Sequence, residues 1–182
     1  MALAAALLPV PGHASSLEPG KGLQVTFALA RSVWPEGSVL ELTATLTNVS
    51  DQPLMVDLFG GVNELYHGKR TSLLLPSCWT LVWQPEHSVP AAKRGRAPLD
   101  TVDLVRLAPG ESVSKSLRAA LEGIPAGSYR VQLAYAPRWS SPSFSIPSGW
   151  SQQHHIVDPL WEGLIFSNEL LLEISRSTTA PN

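Results

Sequence analysis

The sequence predicts an all-β fold, an antiparallel β-sandwich of about seven to nine short strands. Apolar and polar residues alternate with a period of two in several segments, which is typical of strands with one buried face. Clusters rich in Pro, Gly, Asn and Asp separate these segments and indicate turns. The 16 prolines and the low charged fraction of 15% disfavour a helix-rich chain, because proline interrupts helices. Many short strands joined by turns favour a sandwich over an α/β fold.

The first half of the chain holds three predicted strands. Residues 23–30 alternate between large apolar and small or polar side chains, and residues 34–37 (Trp-Pro-Glu-Gly) follow as a turn. Residues 40–47 form the clearest strand, with Leu and Ala facing inward and Glu and Thr facing outward. Residues 48–53 are turn-forming. Their Asn-Val-Ser also matches an N-glycosylation sequon, but we expect these residues to serve in the turn. Residues 54–58 begin a third strand, and we expect it to form a hairpin with the preceding one.

The second half holds the remaining predicted strands. Residues 73–83 are strongly apolar and β-prone, and residues 102–107 alternate without showing which face is buried. Residues 112–117 and 129–135 form two further strands, each preceded by a turn that contains Pro and Gly. The final strand lies within residues 164–174, where Leu170, Leu172 and Ile174 share a face.

Two stretches of the sequence resemble bacterial immunoglobulin-like domains. The first joins the turn at residues 34–37, the strand at residues 40–47 and the following Ser-Asp-Gln-Pro turn. The second is Gly127-x-Tyr129-x-Val131, which is similar to the tyrosine corner of immunoglobulin-like folds, with Val131 in place of the second core cysteine. The resemblance implies that the predicted sandwich is immunoglobulin-like.

The chain is also similar, over residues 34–60 and 107–135, to the small proteinase inhibitors called the BsuPI-like family. This resemblance implies an alternative function, inhibition of a proteinase through an exposed loop, for which residues 137–150 are the candidate. No inhibitory residue of that family has a matching position in this sequence. The resemblance therefore supports the fold more than the function.

The N-terminus is similar to a secretory signal peptide. An apolar Ala/Leu run opens the chain, and Gly12 and Ala14 are small residues at positions −3 and −1 of a cleavage site, although no basic residue precedes the run. We assign residues 1–16 to a signal-peptide-like leader, residues 17–176 to the immunoglobulin-like domain and residues 177–182 to a disordered tail. The predicted location is extracytoplasmic, either secreted or periplasmic, with a cytoplasmic location as the alternative if the leader is not a signal peptide. The apolar run is shorter than the roughly 20 residues of a transmembrane helix, and no later segment reaches that length either.

The segment from residue 137 to residue 163 is the unusual feature, because it is long for a connection between two strands. We assign tentative ligand-binding roles to its aromatic side chains and one histidine, which are Trp139, Phe144, Trp150, His154 and Trp161. The alternative is that these rings pack as a satellite core over an open end of the sandwich. Packing is the favoured interpretation, because large aromatic rings are costly to leave in water.

Other aromatic and metal-ligating residues are open to two interpretations each. Trp79, Leu81 and Trp83 share one face of a strand, where they form core if buried and could stack on sugar rings if exposed. Cys78 is the only cysteine, so we expect a small buried side chain and no disulfide within the chain. A metal site at His154, His155 and Asp158 would lack a visible further ligand, so we predict no metal and no other cofactor.

The sequence contains no catalytic signature, so we predict a non-enzymatic binding or protein-interaction module of an exported protein. Its predicted partner is another protein or a glycan, bound through residues 137–163 and the neighbouring connection at residues 84–101. A carbohydrate-binding module that uses exposed tryptophans is a further alternative. The net charge of −2 and a single basic cluster at residues 93–96 do not indicate nucleic-acid binding.

Overall fold

The computed structural model describes residues 22–59, 62–66, 78–84, 102–140, 149–153, 156 and 158–176, and this part of the chain is all-β. The leader at residues 1–16 and the tail at residues 177–182 lie outside the described residues. The described strands are β1 (Leu23–Leu29), β2 (Val33–Pro35), β3 (Val39–Asn48), β4 (Leu54–Asp57), β5 (Val62–Tyr66), β6 (Trp79–Gln84), β7 (Leu104–Leu107), β8 (Ser112–Ala120), β9 (Gly127–Tyr135) and β10 (Ile165–Ser175). The helical parts are a 3₁₀ turn at Arg138–Ser140 and one helical turn, α1, at Trp150–Gln153.

The strands form three sheets. A three-stranded sheet has the order β1-β3-β8, a five-stranded sheet has the order β2-β10-β9-β6-β5, and β4 pairs with β7 as a two-stranded ladder. The pairs are antiparallel except for β2 with β10 and β5 with β6. The described strands number ten rather than the expected seven to nine, because the short β2 lies in a segment that reads as a turn and β5 carries no clear alternation.

The predicted alternation places the core as expected. Leu40, Leu42, Ala44 and Leu46 of β3 are buried, while their neighbours on the opposite face are exposed or half-buried. The inward residues of β1, β3 and β8 join those of β6, β9 and β10 in one hydrophobic cluster. Each fully buried leucine contributes roughly 1.5–3 kcal/mol to this core, so the two larger sheets are held together mainly by apolar burial.

The predicted hairpin between β3 and β4 is wrong, because β4 pairs with β7. Both edges of β3 are taken, by β1 and β8, and the buried side chain of Asn48 at the end of β3 fastens the following turn elsewhere. Its Nδ2 donates to the carbonyl oxygens of Gln52 (2.7 Å) and Leu107 (2.9 Å), and its Oδ1 accepts from the backbone N–H (2.9 Å) and hydroxyl (2.6 Å) of Ser50. The turn is therefore fastened to the end of β7, and the chain leaves β3 instead of folding back along it.

A second amide joins the two larger sheets at one edge. Asn168 lies where the pairing of β10 with β9 becomes irregular between Phe166 and Glu169. Its Oδ1 accepts the backbone N–H of Phe27 (3.0 Å), and its Nδ2 donates to the carbonyl of the same residue (3.3 Å). The side chain thus pairs with the outer edge of β1 as a peptide group of a neighbouring strand would, and it covers that edge.

We expect Asn48→Asp to destabilise the protein by about 3 kcal/mol, because the acid keeps the shape but cannot donate to the buried carbonyls of Gln52 and Leu107. Chemical denaturation measures the free energy of unfolding. Gln24→Glu is the matched control, since it makes the same amide-to-acid change at an exposed position of β1 and should cost less than about 0.5 kcal/mol. Equal costs for the two variants would contradict the role given to Asn48.

Candidate functional site

The aromatic segment, residues 137–163, packs its tryptophans inward. Trp139, Trp150 and Trp161 are only 6%, 5% and 3% exposed. This is the arrangement that the packing alternative expects, because none of the three rings presents a face to solvent. Phe144 and His154 lie outside the described residues, and a ligand-binding role for the five residues stays a prediction.

Aromatic rings connect this segment to the core of the five-stranded sheet. Trp79 of β6 contacts Tyr135 of β9 with 4.8 Å between ring centroids, and Tyr135 contacts Trp161 at 5.6 Å. The indole Nε1 of Trp139 donates to the carbonyl of Trp161 (2.8 Å), and Trp150 packs edge-on against Trp139 at 6.1 Å. We call Trp79, Tyr135 and Trp161 the aromatic column, and it joins the aromatic segment to the main core.

The aromatic segment is also bonded to the β4–β7 ladder. The N–H of Met55 donates to the carbonyl of Pro159, and the N–H of Trp161 donates to the carbonyl of Met55, both at 2.9 Å. Arg106 of β7 forms an ion pair with Asp158 at 2.6 Å. Residues 159–161 thus bond to the backbone of β4 at Met55, which fixes this part of the segment against the ladder.

Among the described residues, the structure brings no further ligand to the hypothetical metal site at His154, His155 and Asp158. Asp158 is engaged by Arg106, while His154 and His155 lie outside the described residues. Within the described part of the chain, no three His, Cys, Asp or Glu side chains gather in a metal-binding group.

Tyr135 and Asp57 form a buried polar contact between β9 and β4. The Tyr135 hydroxyl donates to the carbonyl of Asp57 and accepts its N–H, both at 3.1 Å. The carboxylate of Asp57 accepts the backbone N–H groups of Phe59 and Asp103, each at 2.9 Å. Burial raises the pKa of Tyr135 well above its ordinary value of 10.0, so this phenol stays protonated near neutral pH. The contact holds the ladder against the five-stranded sheet.

The tryptophans of β6 are core residues. Trp79 and Trp83 are buried, and Trp83 packs edge-on against Tyr129 at 5.5 Å. Cys78 is buried beside them, as expected. Trp34 is buried as well, so all six tryptophans of the chain are inside and none offers the exposed ring that sugar stacking requires.

Most of the exposed large apolar side chains among the described residues lie on the outer face of the five-stranded sheet, the face that points away from the core. We call this area the β10 face, and it comprises Val33 of β2, Leu164 directly before β10, and Phe166 and Leu171 within β10. These are four of the six large apolar side chains that are exposed among the described residues, and Leu171 is 71% exposed. Isolated exposed leucines are ordinary, but a group on neighbouring strands indicates a contact surface.

Charged side chains surround the apolar centre of the β10 face. Glu169 and Glu173 flank Leu171 along the strand, since residues two apart share a face. Arg130 of β9 lies directly beside Leu171 in the sheet, and its Nη1 is 3.3 Å from a carboxylate oxygen of Glu169. Glu173 stands next to Val33 of β2. Leu171 therefore has charged neighbours of both signs, and Glu169 lies between it and Phe166 along β10.

The sequence analysis missed the β10 face, although the sequence carries a signal for it. Leu170, Leu171 and Leu172 are consecutive, and successive side chains of a strand point to opposite faces. If Leu170 and Leu172 point inward, Leu171 must point outward. An apolar residue placed outward by this rule is a candidate contact residue.

The outer face of the three-stranded sheet is chemically different. Its exposed and half-exposed positions carry mainly hydroxyls, and the hydroxyls of β3 and β8 pair across the strands, Thr45 with Ser114 and Thr47 with Ser112, both at 2.8 Å. Towards one end of this face, Arg118 and Glu41 form an ion pair at 3.6 Å. The molecule therefore presents one hydroxylated face and one apolar face.

No protein-family model matches the chain, and no curated protein matches it. In the part of the chain that the structure describes, no helix has the length and apolar character needed to cross a membrane.

We expect Gly163→Ala to be more destabilising than Gly110→Ala. Both glycines have positive φ (+145° and +77°), which L residues rarely adopt. A Cβ at position 163 would lie 3.1 Å from two ring carbons of Trp161, whereas a Cβ at position 110 would meet nothing within 4 Å. Thermal and chemical denaturation should show a cost of about 1 kcal/mol at position 110 and a clearly larger one at position 163. Equal costs would contradict the expectation, because neither the φ of +145° nor the nearby ring of Trp161 would then add to the cost at position 163.

We expect Tyr135→Phe to be destabilising near neutral pH and less so at high pH. In the wild type the buried phenol stays neutral when folded but ionises near pH 10 when unfolded, so its stabilising effect is full below pH 10 and is lost as the pH rises further. The free energy of unfolding of the two proteins, measured from pH 8 to alkaline pH, should therefore converge above about pH 10. A constant difference across this range would contradict the burial of a neutral phenol.

Proposed function

We propose that this chain is a non-enzymatic, immunoglobulin-like protein-interaction module of an exported protein, and that it binds its partner through the β10 face. The observation that carries the proposal is that four of the six large apolar side chains exposed on the described residues lie on this face, Leu171 being the most exposed at 71%. Burying one leucine side chain contributes roughly 1.5–3 kcal/mol, so a partner that covers Leu171 gains binding free energy there.

Three observations support the immunoglobulin-like assignment. The Tyr129 hydroxyl donates to the carbonyl of Pro125 (2.7 Å), which is the contact of a tyrosine corner, and Val131 is fully buried two residues later. Trp79 and Trp83 point into the core from β6, the antiparallel neighbour of β9. The orders β1-β3-β8 and β10-β9-β6 correspond to the A-B-E and G-F-C strands of that fold, while the β4–β7 ladder is an addition to it.

The composition of the β10 face favours a protein over a glycan as the partner. Glycans are bound largely through exposed aromatic rings, and every tryptophan of this chain is buried. The β10 face has one exposed aromatic ring, Phe166, and otherwise combines aliphatic side chains with Arg130, Glu169 and Glu173. The proteinase-inhibitor alternative depends on residues 137–150, of which 141–148 lie outside the described residues, and it stays a prediction.

Site-specific photo-crosslinking tests the proposal. A benzoylphenylalanine at position 171 should yield a covalent protein adduct in native cells, because Leu171 lies at the centre of the proposed contact. The same probe at Thr43, exposed on the hydroxylated face, is the matched control and should give no adduct. Equal adducts at the two positions, or none at position 171, would contradict an interaction through the β10 face.

A further inference from the structure

We infer that the partner of the β10 face is a second copy of this chain, packed face to face about a two-fold axis near Leu171. This inference rests on the proposed function, because it requires the β10 face to be a protein contact. In a two-fold contact the same surface meets itself, so a residue near the axis contacts its own equivalent. Leu171 is suited to that position, because it is the most exposed of the large apolar side chains on the described part of the chain and needs only another apolar side chain.

The arrangement of charges around Leu171 selects the direction of the axis. Arg130 lies beside Leu171 on the adjacent strand, roughly 5 Å across the sheet. Glu173 and Glu169 lie two residues away along β10, each roughly 7 Å from Leu171 in opposite directions. An axis parallel to β10 would place each glutamate against its own equivalent. An axis across the strands would place Glu173 against Glu169 and Arg130 against Arg130. Both arrangements bring like charges together.

A diagonal axis brings unlike charges together. A two-fold rotation about this axis lays β10 of one copy across the strands of the other, so Arg130 of one copy faces Glu173 of the other. The symmetry produces the same contact a second time. The strands of the two copies then cross at nearly a right angle, one of the two common ways in which sheets pack. The opposite diagonal would place Arg130 against Glu169, which already has Arg130 as its ion-pair partner within the chain. Glu173 has no ion-pair partner among the described residues, so the first diagonal gains two new pairs.

The second copy is favoured over an unrelated protein by this self-complementarity. An apolar centre, one unpaired acid and one base at comparable distances from it are what an isologous contact needs from a single surface. Val33, beside Glu173, falls within the covered area and adds to the apolar contact.

Sedimentation velocity of the full chain over a wide concentration range tests the inference. The wild type should dimerise reversibly, and Leu171→Glu should remain monomeric. Arg130→Glu and Glu173→Arg should each weaken dimerisation by about tenfold or more, because each places like charges in contact, and the double variant should recover most of the loss. Melting temperatures measured alongside confirm that each variant is folded.

The matched control is the exposed ion pair on the hydroxylated face. Arg118→Glu and Glu41→Arg make the same charge reversals at a pair 3.6 Å apart and should leave dimerisation unchanged. A wild type that stays monomeric at every concentration overturns the inference, as does a dimer that is insensitive to charge reversal at Arg130 and Glu173. The crosslinking experiment distinguishes failure of the inference from failure of the proposed function. If the probe at position 171 gives no adduct at all, the proposed function fails. If it gives an adduct whose mass is not twice that of the chain, the β10 face binds a different partner and self-association is overturned.

Discussion

The side-chain amide of Asn48 determines where the chain goes after β3, and much of the structure depends on that direction. Its two donors and its acceptor are all used inside the protein, on Gln52, Leu107 and Ser50. The turn is therefore bonded to the end of β7, and β4 is delivered to β7 instead of back to β3. Met55 and Asp57 both lie on β4, and their backbone groups form hydrogen bonds with other parts of the fold. These hydrogen bonds therefore depend on the ladder.

The β4–β7 ladder in turn anchors the aromatic segment. The backbone of Met55 forms hydrogen bonds with the backbones of Pro159 and Trp161, and the carbonyl of Asp57 accepts a hydrogen bond from the hydroxyl of Tyr135. Because Tyr135 also contacts Trp79 and Trp161, the ladder and the five-stranded sheet enclose one continuous group of aromatic rings. The segment that is richest in binding-type residues by sequence thus contributes its tryptophans to packing. This outcome moves the candidate binding surface to the outer side of the five-stranded sheet.

The outer faces of the three-stranded and five-stranded sheets differ in their side-chain chemistry. Threonine and serine on β1, β3 and β8 give one face that satisfies its own hydroxyls across the strands, and such a face gains little from being covered. The β10 face leaves Leu171 in water in the isolated chain, which is a free-energy cost that only a contact removes. We place the interaction on the β10 face because it differs in this way from its counterpart. We place a second copy there because Arg130 of one copy can face Glu173 of the other.

The sequence by itself determined eight of the ten described strands and, where the alternation is clear, their buried faces. The alternation in β1, β3 and β9 sets which side chains point inward, because a strand has a period of two, and Cys78 was expected to be buried from its apolar surroundings. For Trp79 and Trp83 the sequence left both burial and sugar stacking open. Even the exposure of Leu171 was present in the run of three leucines. The tertiary structure alone decided the partners of each strand, because pairing joins residues far apart in sequence, such as Leu54 with Leu107 and Leu171 with Arg130. It also decided that Trp139, Trp150 and Trp161 are buried, since period and composition do not reveal which distant surface covers a loop.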